Sequence, residues 1–242
     1  MLHGWGLNLK VFDSLCGQLD DFNITCLDLP GHGRAAVPSL LEQKNWNIST
    51  VAKILLAQMP PKAIVLGWSL GATIALEIAK TAAHRLNSLV LVSATPRFTI
   101  DDDWPYGTTE SLLNVFAQNL MKNHPQTFNK FLELQVRGSI RAAENLLQLK
   151  LALQAQGACS PTVLRNSLKL LYYTDLRIHL KNIKTPTLVI AGQYDRVTHP
   201  MACASLAKML PNARYLEIRR GGHVPFLSHP VEFCTALKKF TL

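Results

Sequence analysis

The chain has 242 residues, 48% of them hydrophobic, with 25 Lys and Arg against 16 Asp and Glu and a formal net charge of +9. That length and composition fit one domain with a sizeable core and exclude a disordered or fibrous chain. The apolar runs are strand-length and broken by Gly, Pro or charge, which argues against a membrane span. The opening Met1-Leu2-His3-Gly4-Trp5-Gly6 lacks the basic start and apolar core of a signal peptide.

In chain order, residues 24–27 read as a strand. Residues 48–59 read as a helix capped near Asn47 and ended by Pro60-Pro61. Residues 63–66 form a strand, 71–80 a helix rich in Ala, Ile and Leu, and 88–93 a further strand. After Pro186 come a strand at 187–191, a helix at 201–209, a strand at 214–218 and a last helix at 231–240. Uncharged strands alternating with helices predict an α/β fold, a mostly parallel sheet covered on both faces. Residues 97–175 break this rhythm. They lack buried-strand runs and read as helices at 110–120, 125–136, 139–154 and 161–172, a helical lid inserted between two strands of a single domain spanning 1–242.

Gly67-Trp68-Ser69-Leu70-Gly71 fits G-x-S-x-G between a strand and a helix. A turn that tight puts the serine in a strained conformation, leaves no room for side chains at the flanking positions, and presents the hydroxyl at a helix N-terminus. The alternative is a serine that only caps the helix. A serine nucleophile needs a base, and the chain supplies an acid and a base in the order this architecture requires. Asp195 follows the 187–191 strand, and His223 follows the 214–218 strand in Arg219-Arg220-Gly221-Gly222-His223. Ser69, Asp195 and His223 are therefore the expected catalytic residues, acting as nucleophile, orienting acid and general base. Two donors should meet the oxyanion: the backbone N–H of Leu70, and that of Trp5 in the His3-Gly4-Trp5-Gly6 loop. This chemistry calls for no metal and no cofactor. Asp28 to Gly33 reads as turn geometry, Asp101-Asp102-Asp103 as a solvated loop or cap, and His199 and His229 as structural residues at helix starts.

Five cysteines (16, 26, 159, 203 and 234) show no CxxC and no metal spacing. An odd number of scattered thiols fits unpaired residues in a reducing cytoplasm. The positive charge is uneven: residues 119–170 hold seven Lys and Arg against Glu133 and Glu144. Basic residues are not interleaved with aromatics and no nucleic-acid module is present, so no nucleic-acid partner is expected.

With HGWG, DLPGHGR, GWSLG, a late Asp and GGH in this order, the sequence resembles the α/β-hydrolase superfamily over essentially its whole length. Within it the sequence is similar to the carboxylesterases of biotin synthesis. The closer likeness rests on LHGWGLN (2–8), LDLPGHGR (27–34), KAIVLGWSLGA (62–72), Asp102 to Pro105, Phe131-Leu132-Glu133-Leu134-Gln135, Thr174 to Arg177 and HVPFLSHPVEFC (223–234). The resemblance implies a serine carboxylesterase that cleaves the methyl ester of a pimeloyl chain on acyl carrier protein and releases methanol. It carries over as substrate-binding positions Trp5, Ser69, Leu70, Phe131, Leu132, Glu133, Leu134, Gln135 and His223. Phe131, Leu134 and Gln135 share one helix face, suited to lining an acyl channel. Arg137, Arg141, Lys150 and Arg165 of the basic lid are candidates for docking the acidic carrier protein. A monomer is expected. Such relatives carry a hairpin and a further strand ahead of HGWG that this sequence does not show, so a mobile Trp5 loop is expected. The general motifs leave open a broader short-chain carboxylesterase, a carbon–carbon bond hydrolase, and a ligand receptor or scaffold that keeps the fold without turnover.

Overall fold

A computed structural model describes residues 1–42 and 46–241. Four strands, β1 (Ala63–Trp68), β2 (Leu86–Val92), β3 (Thr187–Gly192) and β4 (Ala213–Ile218), form a parallel sheet in the order β1-β2-β3-β4. β3 is buried throughout, whereas β4, at the edge, exposes Arg214 and Tyr215. This is the pattern of a sheet whose inner strands are covered on both faces.

The helices in chain order are α1 (Asp13–Cys16), α2 (Ser39–Glu42), α3 (Ile48–Leu56), α4 (Leu70–Ala82), α5 (Glu110–Lys122), α6 (His124–Val136), α7 (Ala142–Gln156), α8 (Pro161–Tyr173), α9 (Pro200–Met209), α10 (Pro225–Ser228) and α11 (Pro230–Thr241). Local signals set several of the ends. The Asn47 side chain accepts from the Thr50 N–H at 2.9 Å and starts α3. His199 starts α9 by accepting from Met201 N–H through Nδ1 at 3.1 Å. α4 is buried along nearly its whole length between β1 and β2.

α5 to α8 lie between β2 and β3. At their base Arg97 and Asp175 form an antiparallel bridge. Arg97 Nη1 donates to Asp175 Oδ2 at 2.9 Å, and Arg177 reaches Asp175, Asp101 and Asp103. Burial alone raises the Asp175 pKa, but the two guanidinium groups outweigh it and hold the carboxyl at about 2. Asp101 and Asp103 are thus ion-pair partners. Among the described residues no three of His, Cys, Asp or Glu are grouped to hold a metal ion, and no helix is long and apolar enough to cross a membrane.

One expected strand is not formed. Residues 24–27 reduce to a single bridge from Leu27 to Leu2. Leu27 N–H donates to Met1 O at 3.1 Å, and Leu2 bonds β1 through Leu66 O at 2.8 Å and Trp68 N–H at 3.0 Å. Leu2 bridges both Leu27 and Gly67, one rung on each side. An apolar cavity of ≈ 380 Å³ opens between Ile24–Leu27 and β1, and Ser69, Asp195 and His223 do not line it. The rung at Leu2 carries the chain to the C-terminal end of β1, so that the HGWG loop lies beside Ser69.

Candidate active site

Ser69 occupies the corner between β1 and α4 with φ 56° and ψ −117°, a conformation that costs a non-glycine residue about 1–3 kcal/mol. The corner is held by the sheet: Ser69 N–H donates to Val92 O at 2.9 Å, and Ser69 O accepts from Ala72 at 2.9 Å and Thr73 at 3.2 Å. The flanking glycines are steric requirements. A Cβ on Gly67 would lie 2.6 Å from Ala72 Cα, and one on Gly71 would lie 2.6 Å from the Leu2 carbonyl carbon. Ser69 is partly exposed although residues 65–68 and 70–79 are buried.

The loops after β3 and β4 meet over this corner. A Cβ on Gly192 would lie 2.7 Å from the Gly221 carbonyl carbon, so glycine lets the two loops cross. Their contact brings His223 Nδ1 to 2.8 Å from Asp195 Oδ2, with both residues buried. A carboxylate only accepts, so Nδ1 donates and the Nε2 lone pair is left for a proton. The other Asp195 oxygen accepts from Val197 N–H at 2.8 Å and Thr198 N–H at 2.9 Å, which fixes the carboxylate plane. His223 is pinned from three sides: its N–H donates to Gln135 O at 2.8 Å, and its carbonyl accepts from Trp68 Nε1 at 2.8 Å and Ser93 Oγ at 3.0 Å. These three anchors escaped the sequence analysis, because each is a contact across the fold. Ser69 Oγ makes no hydrogen bond to the imidazole, and a catalytic bond of this kind often tightens only as the reaction proceeds.

The HGWG loop closes the other side. A Cβ on Gly4 would meet Ser69 Cβ at 3.3 Å and the Trp68 ring at 3.1 Å. His3 staples the loop in place: Nδ1 donates to Gly4 O at 2.8 Å and Nε2 accepts from Leu29 N–H at 3.0 Å. Burial depresses the His3 pKa to about 4 and that of the adjacent His32 to about 3. Trp5 is buried, donates from Nε1 to Leu164 O at 3.0 Å, and packs against Phe116, Phe128 and Phe131. Its backbone N–H takes no partner among the described residues. Leu70 is the first residue of α4, so its N–H has no acceptor within the helix.

A cavity of ≈ 260 Å³ opens above Ser69 and Trp5. Its walls are Leu112, Leu113 and Phe116 of α5, Phe131 and Leu134 of α6, and Leu168 and Leu171 of α8, with Phe98 and Val197. Of the five consecutive α6 positions, Phe131 and Leu134 line it. Leu132 is buried in the packing of the insertion, Glu133 is exposed, and Gln135 points elsewhere. Successive helical residues turn by about 100°, so five in a row do not share one wall. Gln135 is buried with both amide atoms unpartnered, and its carbonyl holds His223. The α5 and α8 lining residues were missed by the sequence analysis, although their spacing of three to four was legible. Arg137, Arg141 and Arg165 are exposed and Lys150 is half-buried, and none of the four lines the cavity. Arg141 pairs with Glu144 at 2.5 Å, and Arg165 lies with Lys169 in a shallow groove between α5 and α8.

The family profile described as alpha/beta hydrolase fold matches residues 1–230. The chain belongs to the α/β hydrolase family. It is 34% identical, over 99% of its own length and 92% of the relative's, to a pimeloyl-[acyl-carrier protein] methyl ester esterase of Nitrosospira multiformis. It is 37% identical to the enzyme of that name from Stenotrophomonas maltophilia, over 99% of this chain and 91% of the other. Among solved structures it is similar to an esterase from Exiguobacterium antarcticum, with a TM-score of 0.85, 21% identity, and coverage of 99% of this chain and 90% of that one.

Proposed function

We propose that this chain is a serine carboxylesterase that hydrolyses the methyl ester of pimeloyl-[acyl-carrier protein], the reaction the sequence resemblance places in biotin synthesis. The observation that carries the proposal is that one small apolar cavity is floored by Ser69, in its strained corner, beside a buried His223–Asp195 pair bonded at 2.8 Å. The names of relatives at 34% and 37% identity over nearly the whole chain support the choice of substrate.

In this reading the acyl chain lies along Phe131, Leu134, Leu168 and Leu171 with its methyl ester over Ser69. Ser69 Oγ attacks the ester carbon while His223 Nε2 takes its proton. The new oxyanion lies between the free N–H groups of Trp5 and Leu70, whose positions the HGWG staple and the start of α4 fix in advance. The C–O bond to the methoxy group breaks, His223 returns the proton, and methanol leaves. Water then repeats the sequence on the acyl-serine. Asp195 holds the Nδ1–H tautomer and balances the imidazolium in both halves. The 97–175 insertion serves as the lid, and its exposed Arg137, Arg141 and Arg165 with the half-buried Lys150 are the cations offered to an acidic carrier protein.

The test is methanol release from pimeloyl-[acyl-carrier protein] methyl ester by the wild-type chain and by Ser69→Ala. Turnover by the first, and a drop of about a thousandfold or more in the second, is the expected result. A wild-type chain that releases no methanol from this ester, or a Ser69→Ala variant as active as wild type, refutes the reading.

A further inference from the structure

Of the residues lining the cavity above Ser69, only Leu112, Lys130 and Arg196 are exposed, so these three mark its mouth. Two of the three are cations, and no acidic side chain lines the cavity. Neither the Lys130 nor the Arg196 side chain makes a hydrogen bond or ion pair among the described residues, whereas those of Arg97, Arg141 and Arg177 all have carboxylate partners.

Their placement is tied to the catalytic parts. Arg196 lies between Asp195 and Val197, and the Val197 N–H is bonded to Asp195 Oδ1 at 2.8 Å, so the loop that orients the acid also fixes the base of this side chain. Lys130 precedes Phe131, whose ring meets Trp5 edge-on at 5.1 Å. One cation thus comes from the core and the other from the insertion, at the rim of a pocket with an apolar interior. A neutral chain entering that pocket gains nothing from either. A chain with an anionic group beyond its apolar stretch meets both.

We propose that Lys130 and Arg196 form a cationic collar that selects esters whose far end is anionic, with Arg196 the specificity-determining residue of the pair. This rests on the esterase reading above and extends it. The shared ligand chemistry is an anionic oxygen group, which has two sources: a free carboxylate at the end of a short dicarboxylic half-ester, or the phosphate of a carrier's phosphopantetheine arm. Guanidinium and ammonium groups pair with either.

The experiment compares kcat/KM for monomethyl pimelate and for the methyl ester of pimeloyl-4′-phosphopantetheine, each divided by kcat/KM for neutral dimethyl pimelate. Wild type, Arg196→Ala, Arg196→Lys and the double variant Lys130→Ala/Arg196→Ala are measured, with circular dichroism to check folding. The anionic-to-neutral ratio is expected to fall about fivefold in Arg196→Ala, further in the double variant, and to recover in Arg196→Lys, with the loss in KM rather than kcat. Added salt lowers the wild-type ratio towards that of the double variant. A fall with monomethyl pimelate assigns the carboxylate, and a fall confined to the phosphopantetheine ester assigns the phosphate. Ratios for both anionic esters that stay within about twofold of wild type in the double variant overturn the collar while leaving the esterase intact. A wild-type chain that hydrolyses none of the three esters overturns the esterase reading, and the collar with it.

Discussion

Acidification from pH 7.5 to 5 is expected to destabilise the fold through His3 and His32. Both are completely buried, and each is bonded in its neutral form: His3 through Gly4 O and Leu29 N–H, His32 through Nδ1 to Pro30 O, with His32 Nε2 unpartnered. Burial, the larger cause for both, and for His32 the neighbouring His3, lower the folded-state pKa values from 6.5 to about 4 and about 3. Above pH 6.5 the rings are neutral in both folded and unfolded chains and full stability is present. As pH falls below 6.5 the unfolded chain takes up two protons that the folded chain refuses, and stability is lost until pH reaches the folded values. Each ring removes about 1.4 kcal/mol per pH unit, so between pH 6.5 and 5 the pair removes about 4 kcal/mol, a large share of the roughly 5–15 kcal/mol of a typical domain. Urea unfolding at several pH values between 7.5 and 5 measures the slope. His32→Asn, which keeps a donor for Pro30 O and cannot titrate, should be less stable at neutral pH and show about half the wild-type slope. A flat wild-type profile between pH 6.5 and 5, or an undiminished slope in His32→Asn, refutes the reasoning.

Asp195→Asn is expected to lower kcat by about a thousandfold to ten-thousandfold with little change in KM. The asparagine carbonyl takes over the Val197 and Thr198 N–H groups, so its NH₂ faces His223 and forces the proton onto Nε2. Steady-state kinetics on the carrier-bound ester checks this, and a loss under about tenfold would contradict the role given to the acid. Gly71→Ala should destabilise by about 1–3 kcal/mol in thermal unfolding, although alanine is the better helix former by about 1 kcal/mol. The added Cβ strikes the Leu2 backbone, which is hydrogen-bonded to β1 and has no room to retreat. An unchanged or raised Tm would show that the corner has slack.

What the sequence disclosed follows from how local each requirement is. The corner at Ser69 was legible because its G-x-S-x-G pattern lies within five residues between a strand and a helix, although Gly71 answers to the distant Leu2 backbone, and the Asp195–His223 pair because both follow strand ends in a fixed order. Residues 24–27 look like a strand, but a strand needs a neighbour paired along it, and among the described residues Leu2 alone bridges to them. α7 starts at Ala142, three residues later than its apolar pattern suggests, because Gly138 at φ 79° and Arg141 at φ 54° turn the chain first.

The charges of the insertion show the limit most clearly. Counting Lys and Arg along residues 119–170 identified a basic segment, but linear proximity does not say what each cation meets. Arg141 is neutralised by Glu144, Arg165 lies in an outer groove, and Lys130, one of seven in the count, stands at the mouth of the cavity. Its counterpart there, Arg196, lies outside the counted segment, on the loop that carries the acid. The two line one opening where α6 packs on Trp5 through Phe128 and Phe131 and is tied to His223 through Gln135 O. A pair of cations assembled across that seam leaves no pattern in either stretch of sequence alone, whereas the G-x-S-x-G corner at Ser69 is written within five residues.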